Sequence, residues 1–449
     1  MPDLFNPLPL NFFSKKPLEV KFSELSLSSD AGLLLVRQAE EKINLCQGIA
    51  NCLNDKREQA KITHTLTQLI TQRVYQIIAG YEDANDSNHL RHDPILKMVC
   101  GRIPLPEAEL LASQPTMSRL ENSLSKREIK AIRSFFLDQF IQSYSEAPDE
   151  IVLDIDGWDA ATYGNQQLSL FHGYYGHYMY FPFLINEAKS GYPLVLELRT
   201  GNSHSGKGVV GLLRWLFWRL KRVWPKTKII LRGDAGFSLP EIINLCERGE
   251  IGYVLGFISN SVLKRKISYL MEQARLQFIR TGEKARLFED VYYAAKTWKE
   301  PRRMIMKAEW LEEGANPRFV VTNLLNPAQE LYDDFYVQRG EASEHRIKEL
   351  KLGIKADRLS CHQFIANQFR LFLSQAAYIL MLAMRKAAEG TQLGKAQVSR
   401  LRATIIKVAA KVRVSARRIL VELPISCPFA HEIGMIAEQL YGKKKLIFH

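Results

Sequence analysis

Three acidic residues hold the chemistry this sequence could perform. Asp156 ends the alternating run "IVLDID", Asp234 interrupts "IILRGDAGF", and Glu344 stands in "EASEHRIKELK". Carboxylates that converge from separate elements can hold two hard divalent cations about 3.5–4 Å apart, and such a pair drives phosphoryl transfer. One cation activates an attacking hydroxyl or water while the other stabilises the leaving oxygen. Asp234 alone is equally a turn former, because Asp before Gly closes many strands without further purpose. What matters is whether the fold brings the three together.

The elements around them predict that it does. Ile229, Ile230 and Leu231 read as a short buried strand that "GDAG" stops, so Asp234 stands at a carboxyl end, where open α/β sheets bind ligands. "IVLDID" puts Ile151, Leu153 and Ile155 on one face and Val152, Asp154 and Asp156 on the other, which leaves Asp154 as an alternative to Asp156. Two more strand-like runs, "HYMYFPFLINEA" and "YPLVLELRTGN", are divided by the turn "KSG". "GVVGLLRWLFWRLKRVW" is an amphipathic helix halted by Pro225, and "TKIILRGD" is a fourth strand. A helix over "LPEIINLCERG" and a strand over "YVLGFI" follow. Three meandering strands, a helix, a fourth strand, a helix and a fifth strand make the ribonuclease-H-like order. That order places a first carboxylate on strand one, a second after strand four and a third on a later helix.

Composition bounds the rest. With 449 residues, 46% hydrophobic, the chain is long enough for several domains. Its net charge of +13 is uneven: from Ile354 onward there are 16 basic and 5 acidic residues, which points to an anionic partner, nucleic acid above all. Cys46, Cys52, Cys100, Cys246, Cys361 and Cys427 form no CxxC pair and read as reduced, mostly buried thiols. "MPDLFNPLPLNFFSKK" lacks the order of a signal peptide, and "LFLSQAAYILMLAM" is too short to span a bilayer. A cytoplasmic protein, with no membrane partner, is expected.

The reading is of a multidomain α/β chain. Residues 1–148 form a helical N-terminal DNA-binding region, and 149–262 with 327–390 form a ribonuclease-H-like catalytic core. A β-rich insertion domain occupies 263–326, and 391–449 is a basic C-terminal region. Within the first, "AELLAS", "QPT" and "MSRLENS" suggest helix, turn and helix, with Thr116 as N-cap and Arg119 outward. In the last, "KVAAKVRVSARRILVEL" alternates as a hairpin would, displaying Lys407, Lys411, Arg413, Arg417 and Arg418 to DNA phosphates.

Several phrases in this order resemble one family. "LDIDGWDAATYGNQQLSLFHGYYG", "LRTGN", "LRGDAGF" and "RIKELK" are similar to the DDE transposases of bacterial insertion sequences, in the group with the YREN signature. "LASQPTMSRLEN" upstream and "ADRLSCHQFIANQFRLFLSQAAY" downstream extend the resemblance over roughly residues 80 to 430. The resemblance implies a cut-and-paste enzyme that binds terminal inverted repeats, cleaves DNA and joins it to a target with Mg²⁺, for which Mn²⁺ can substitute. It also implies a homodimer on double-stranded DNA in the bacterial nucleoid.

Carried over by position, Asp156, Asp234 and Glu344 are the catalytic and metal-binding residues. Trp158 stands where the family usually has Thr after the first Asp. The signature Y-x(2)-R-x(3)-E-x(6)-K matches at Tyr336, Arg339, Glu344 and Lys351, but with four residues in the middle gap, so Glu341 is an alternative. Helical spacing favours Glu344, which with Ile347, Lys348 and Lys351 makes one stripe able to face the sheet. Arg339 and Lys351 would contact phosphates beside the scissile bond, and Tyr336 a phosphate or base. Trp298 and Trp310, in the β-rich insertion, would stack on a flipped base if a hairpin intermediate is used. Two competing readings remain at this point: a nuclease that only hydrolyses, and a DNA-binding protein that has lost catalysis.

Overall fold

The computed structural model describes residues 26–442 except 204, 205 and 207, and in addition residues 16, 18 and 20. The opening "MPDLFNPLPLNFFSK", read above for a targeting signal, lies outside the described residues.

A short strand β1 (Leu27–Ser28) leads into helices α1 (Leu33–Ile43), α2 (Leu45–Asn51) and α3 (Leu66–Ala79). Thr65 and Gln68 form a reciprocal capping box that starts α3, and Gly80 in the left-handed region ends it. Then come the short helices α4 (Ser87–Leu90) and α5 (Pro94–Val99), followed by α6 (Gln114–Glu121) and α7 (Lys126–Ser143). The helix expected over "AELLAS" does not form; the helix begins instead at Gln114, inside the expected turn. Pro115 sits in its first turn, where a missing N–H costs nothing, so Thr116 lies within the helix and is not its cap.

The central sheet follows. Strand β2 (Glu150–Gly157) precedes a small sheet of β3 (Ala160–Ala161), β4 (Leu170–His172) and β5 (His177–Tyr180). Next are β6 (Phe183–Glu187), β7 (Pro193–Glu197), helix α8 (Val209–Val223) and β8 (Lys228–Gly233). The run "HYMYFPFLINEA" is therefore two strands. Pro182 has no N–H for a ladder, and its carbonyl turns to accept from Trp158 N. Helix α9 (Pro240–Arg248) and β9 (Gly252–Phe257) complete the expected succession. The spatial order is β7-β6-β2-β8-β9, with β2, β8 and β9 parallel and β6 antiparallel to both neighbours.

Residues 263–326 open with helices, not strands: α10 (Ser261–Lys266) and α11 (Ser268–Thr281). Leu263, Ile267, Met271 and Ala274 are the buried positions, at the three- and four-residue spacing of a helix face, so this signal was present in the sequence. Strands β10 (Ala285–Tyr293), β11 (Arg302–Leu311), β12 (Gly314–Ala315) and β13 (Arg318–Thr322) then extend the core sheet, because β13 pairs antiparallel with β9. The result is one nine-stranded mixed sheet.

After the one-turn helix α12 (Ala328–Glu330), a wide π turn over Leu331–Tyr336 enters α13 (Gln338–Lys348). A second π turn, Glu349–Gly353, leaves it. The long helix α14 (Phe364–Ala387) is buried along nearly its whole length and packs on α1, α3, α7 and β7. It joins the N-terminal helices and the sheet into one apolar core running from Ala31 to Leu440. The short α15 (Val398–Leu401) precedes β14 (Ala410–Val414) and β15 (Ile419–Glu422), which form the expected hairpin and pair with β1. Helix α16 (Ala430–Gly442) ends the described chain. No described helix is long and apolar enough to cross a membrane. All six cysteines are free thiols.

Candidate active site

The two aspartates reach the same sheet edge through strand register. Strands β2 and β8 run parallel, with Ile155 opposite Gly233, so the next residues, Asp156 and Asp234, emerge side by side at the carboxyl ends. A side chain at 233 would not fit: a Cβ there would stand 2.8 Å from Ile155 Cγ2. Gly157 N–H donates to Asp156 Oδ1 (2.8 Å), and Gly236 N–H donates to Asp234 Oδ1 (2.9 Å). Asp234 thus also closes its turn, as the plainer reading of "GDAG" expects.

Asp154, the alternative two residues back, is fully buried and committed elsewhere. Arg232 grips it at both oxygens, Nε to Oδ1 at 2.6 Å and Nη2 to Oδ2 at 3.0 Å, and Arg346 Nη1 lies 3.6 Å from Oδ2. Arg232 also donates to the Phe335 carbonyl, and Arg346 to the Ala188 carbonyl. This buried network fastens the π turn and α13 across the strand ends. Arg232 and Arg346 were not singled out in the sequence; a charge inside the otherwise apolar run "IILRG" was the available signal.

Asp156 is held between opposing influences. Burial pushes its pKa up, as does the charge of Asp234, while Arg339 and the Gly157 N–H pull it down; Glu344 adds a further push, and the balance is about 6. Glu344 therefore belongs to the same electrostatic field, although its side chain is exposed. Among the described residues, no group of three acidic, His or Cys side chains is close enough to hold a metal ion. The expected triad does not close into a preformed metal cage. The donor chemistry still suits a hard cation, since the oxygens are carboxylate and the mutual repulsion at Asp156 is relieved by added positive charge. That charge comes from Arg339, whose Nη1 lies 3.2 Å from Asp156 Oδ2.

The other candidates distribute unevenly. Arg339 faces the Tyr336 ring at 5.7 Å, and Tyr336 packs so closely over Gly256 that a Cβ there would meet its hydroxyl at 2.5 Å. Lys351 Nζ is 2.9 Å from Asp159 Oδ1, just beyond β2. Ile347 packs toward the core, as the stripe through Glu344 requires, but Lys348 is exposed. The side chain of Glu341 lies outside the described residues. Trp298 is not available for stacking: it is 8% exposed, packed against Phe257 and Tyr293 with Arg302 over its ring. A tryptophan in a β segment buries its large apolar area wherever sheet packing permits. Arg119 is exposed on α6, with Nη2 3.0 Å from Thr116 Oγ1. Arg417 and Arg418 are exposed at the β14–β15 turn, whereas Arg413 pairs with Glu422 and Lys407 with Asp30.

A mixed α/β sheet that brings two aspartates together at the ends of adjacent parallel strands belongs to a class that comparison resolves further. Residues 10–444 match the family profile described as transposase DDE domain group 1, and the chain belongs to that family of DDE transposases. No curated protein shows significant sequence similarity to it. Among solved structures, a piggyBac transposase synaptic complex with hairpin DNA is 13% identical, with a TM-score of 0.41 over 84% of this chain and 80% of the other. An endonuclease V from Ciona intestinalis bound to inosine-containing DNA is 10% identical, with a TM-score of 0.24 over 51% of this chain and 99% of the other.

Proposed function

We propose that this DDE transposase is a cut-and-paste enzyme of the YREN-signature insertion-sequence group, binding terminal inverted repeats, cleaving DNA and joining the ends to a target. The observation that carries the proposal is the pair Asp156 and Asp234 on adjacent parallel strand ends, with Asp156 raised to about 6 by burial and by its neighbour. The strand order β7-β6-β2-β8-β9 supports a ribonuclease-H-like core, in which this edge is where carboxylates act. Asp156, Asp234 and Glu344 would hold divalent cations, Mg²⁺ or Mn²⁺, which supply activation of the attacking hydroxyl and stabilisation of the leaving oxygen. Asp154 takes no part, because its oxygens are occupied by Arg232 and Arg346.

The protein's own residues set the geometry. The Gly157 and Gly236 amides each fix one carboxylate oxygen, and the second oxygen of Asp156 meets Arg339. Arg339 neutralises Asp156 before DNA arrives and then, released, offers a planar two-point grip to a phosphate. Lys351, held by Asp159, adds a point charge. Exposed Arg119 reads sequence from the N-terminal helices, and Arg417 and Arg418 hold backbone from the C-terminal hairpin, in a homodimer on double-stranded DNA.

The test is a strand-transfer assay with Mg²⁺ and a DNA carrying the inverted repeats that flank the gene. A joined 3′ end together with cleavage is the expected result. Nicking without joining would leave only a nuclease, and binding without cleavage only a DNA-binding protein.

A further inference from the structure

Helix α11 carries apolar side chains on two sides. Its inward positions, Met271 and Ala274, join the core that holds Met304 and Met306 of β11. Ile305, on the other side of that strand, packs with Leu331 and Tyr332 of the π turn before α13. So α11 lies on the sheet face opposite the turn that leads to Arg339 and Glu344. On its outward side Tyr269 is 73% exposed, Leu276 54% and Ile279 63%. Single exposed apolar residues are ordinary, but three on one 14-residue helix form a patch that calls for cover.

The spacing says what kind of cover. Tyr269, Glu272, Leu276 and Ile279 follow one another at three, four and three residues, the repeat with which one helix seats against another. The charged member of this seam, Glu272, pairs with Arg275 on its own helix, Oε1 to Nη2 at 2.7 Å, and both side chains are partly open to solvent. In a parallel pair of such helices Glu272 would meet Glu272, a like-charge contact. An antiparallel pair, with its two-fold axis level with Ala274, behaves differently. Tyr269 of each copy then meets Ile279 of the other, and Glu272 of each comes beside Arg275 of the other. Acid and base alternate around the axis, so the helix is complementary to itself.

We propose that α11 is the seam of an antiparallel homodimer of this chain that forms without DNA. The proposal goes beyond the reaction proposed above and does not depend on it, since it concerns how two DNA-free chains hold each other. Burial of the outward apolar side chains supplies the attraction, and the four charges set orientation and register.

Sedimentation equilibrium of the full-length, DNA-free protein across the micromolar range tests it, with a dimer as the expected wild-type state. Leu276→Glu should weaken dimerisation by about a hundredfold or more. Glu272→Arg and Arg275→Glu should each weaken it by about ten- to thirtyfold, because each turns alternating charges into like ones. An equimolar mixture of those two variants should recover dimerisation to within about threefold of wild type, since each supplies the charge the other lacks. Recovery in the mixture also shows that both variants are folded, and a thermal melt checks Leu276→Glu. A monomeric wild type, a dimer untouched by Leu276→Glu, or a mixture no better than its components overturns the proposal. A monomer in which Arg275→Glu instead weakens binding of duplex DNA would assign this face to DNA and overturn it as well.

Discussion

Arg339 Nη1 lies 3.2 Å from Asp156 Oδ2, with both side chains 14% exposed. A cation supplied by the protein thus stands beside a carboxylate proposed to bind metal. Because one carboxylate edge serves both, the arginine and a divalent ion compete for it. Arg339→Gln should therefore strengthen Mn²⁺ binding by DNA-free protein by about five- to thirtyfold, in line with partly buried ion-pair energies. It should also lower DNA cleavage, since one grip on a phosphate disappears. Titration followed by electron paramagnetic resonance reads the first effect, and unchanged or weaker Mn²⁺ affinity would rule out competition.

Asp154 and Asp156 should respond to the same substitution with opposite signs. Asp154→Asn breaks a buried two-point pair and leaves Arg232 and Arg346 uncompensated, a cost of about 3–5 kcal/mol. Asp156 has a folded pKa of about 6, above the 3.8 of the unfolded chain. Its stabilising contribution is complete below pH 3.8 and is lost as pH rises through about 6. In metal-free buffer at neutral pH, Asp156→Asn should then raise stability, by at most roughly 3 kcal/mol, a balance in which the Arg339 pairing is already included. Chemical denaturation of both variants decides it; a destabilised Asp156→Asn contradicts this balance of charges.

Asp234→Asn should abolish cleavage, by roughly a thousandfold or more, while DNA binding survives. The Gly236 N–H can still be accepted by the asparagine oxygen, so the turn is preserved. If binding and the cooperative melt both disappear, Asp234 is only a structural turn residue.

Glu40 provides a pH test remote from the site. It is buried at the α1–α2 junction, accepting from Leu45 N–H at 3.2 Å and Cys46 N–H at 2.6 Å, and burial raises its pKa to about 7. The unfolded value is 4.5, so this contribution to stability is complete below pH 4.5 and is lost as pH rises through about 7. The shift corresponds to roughly 3 kcal/mol. Glu40→Gln should flatten stability between pH 5 and 8 relative to wild type; an unaltered pH profile would refute the buried, protonated carboxyl.

Arg417 and Arg418 should contribute affinity without sequence choice, and Arg119 the reverse. Neutralising the C-terminal pair should weaken binding equally to inverted-repeat and unrelated DNA, and lower the salt slope by up to roughly 0.9 for each phosphate no longer neutralised. Arg119→Ala should reduce only the ratio between the two DNAs. A salt series with both variants measures this, and loss of preference in the Arg417/Arg418 variant would reverse the assignment.

The sequence by itself determined the strand order around Asp156 and Asp234. Alternation in "IVLDID", the apolar run before "GDAG" and the Pro225 stop are local signals, and local hydrogen bonding obeys them. Asp154 and Asp156 were indistinguishable there, since residues two apart share a strand face. Only tertiary structure separated them, because the deciding partners Arg232 and Arg346 lie 78 and 192 residues further along the chain. The same distance in sequence hid the docking of β13 on β9, which turned an expected insertion domain into more of the core sheet. The burial of Trp298 against Tyr293, five residues away, and Phe257, 41 residues away, was hidden too, for a side chain's exposure depends on what the fold packs against it.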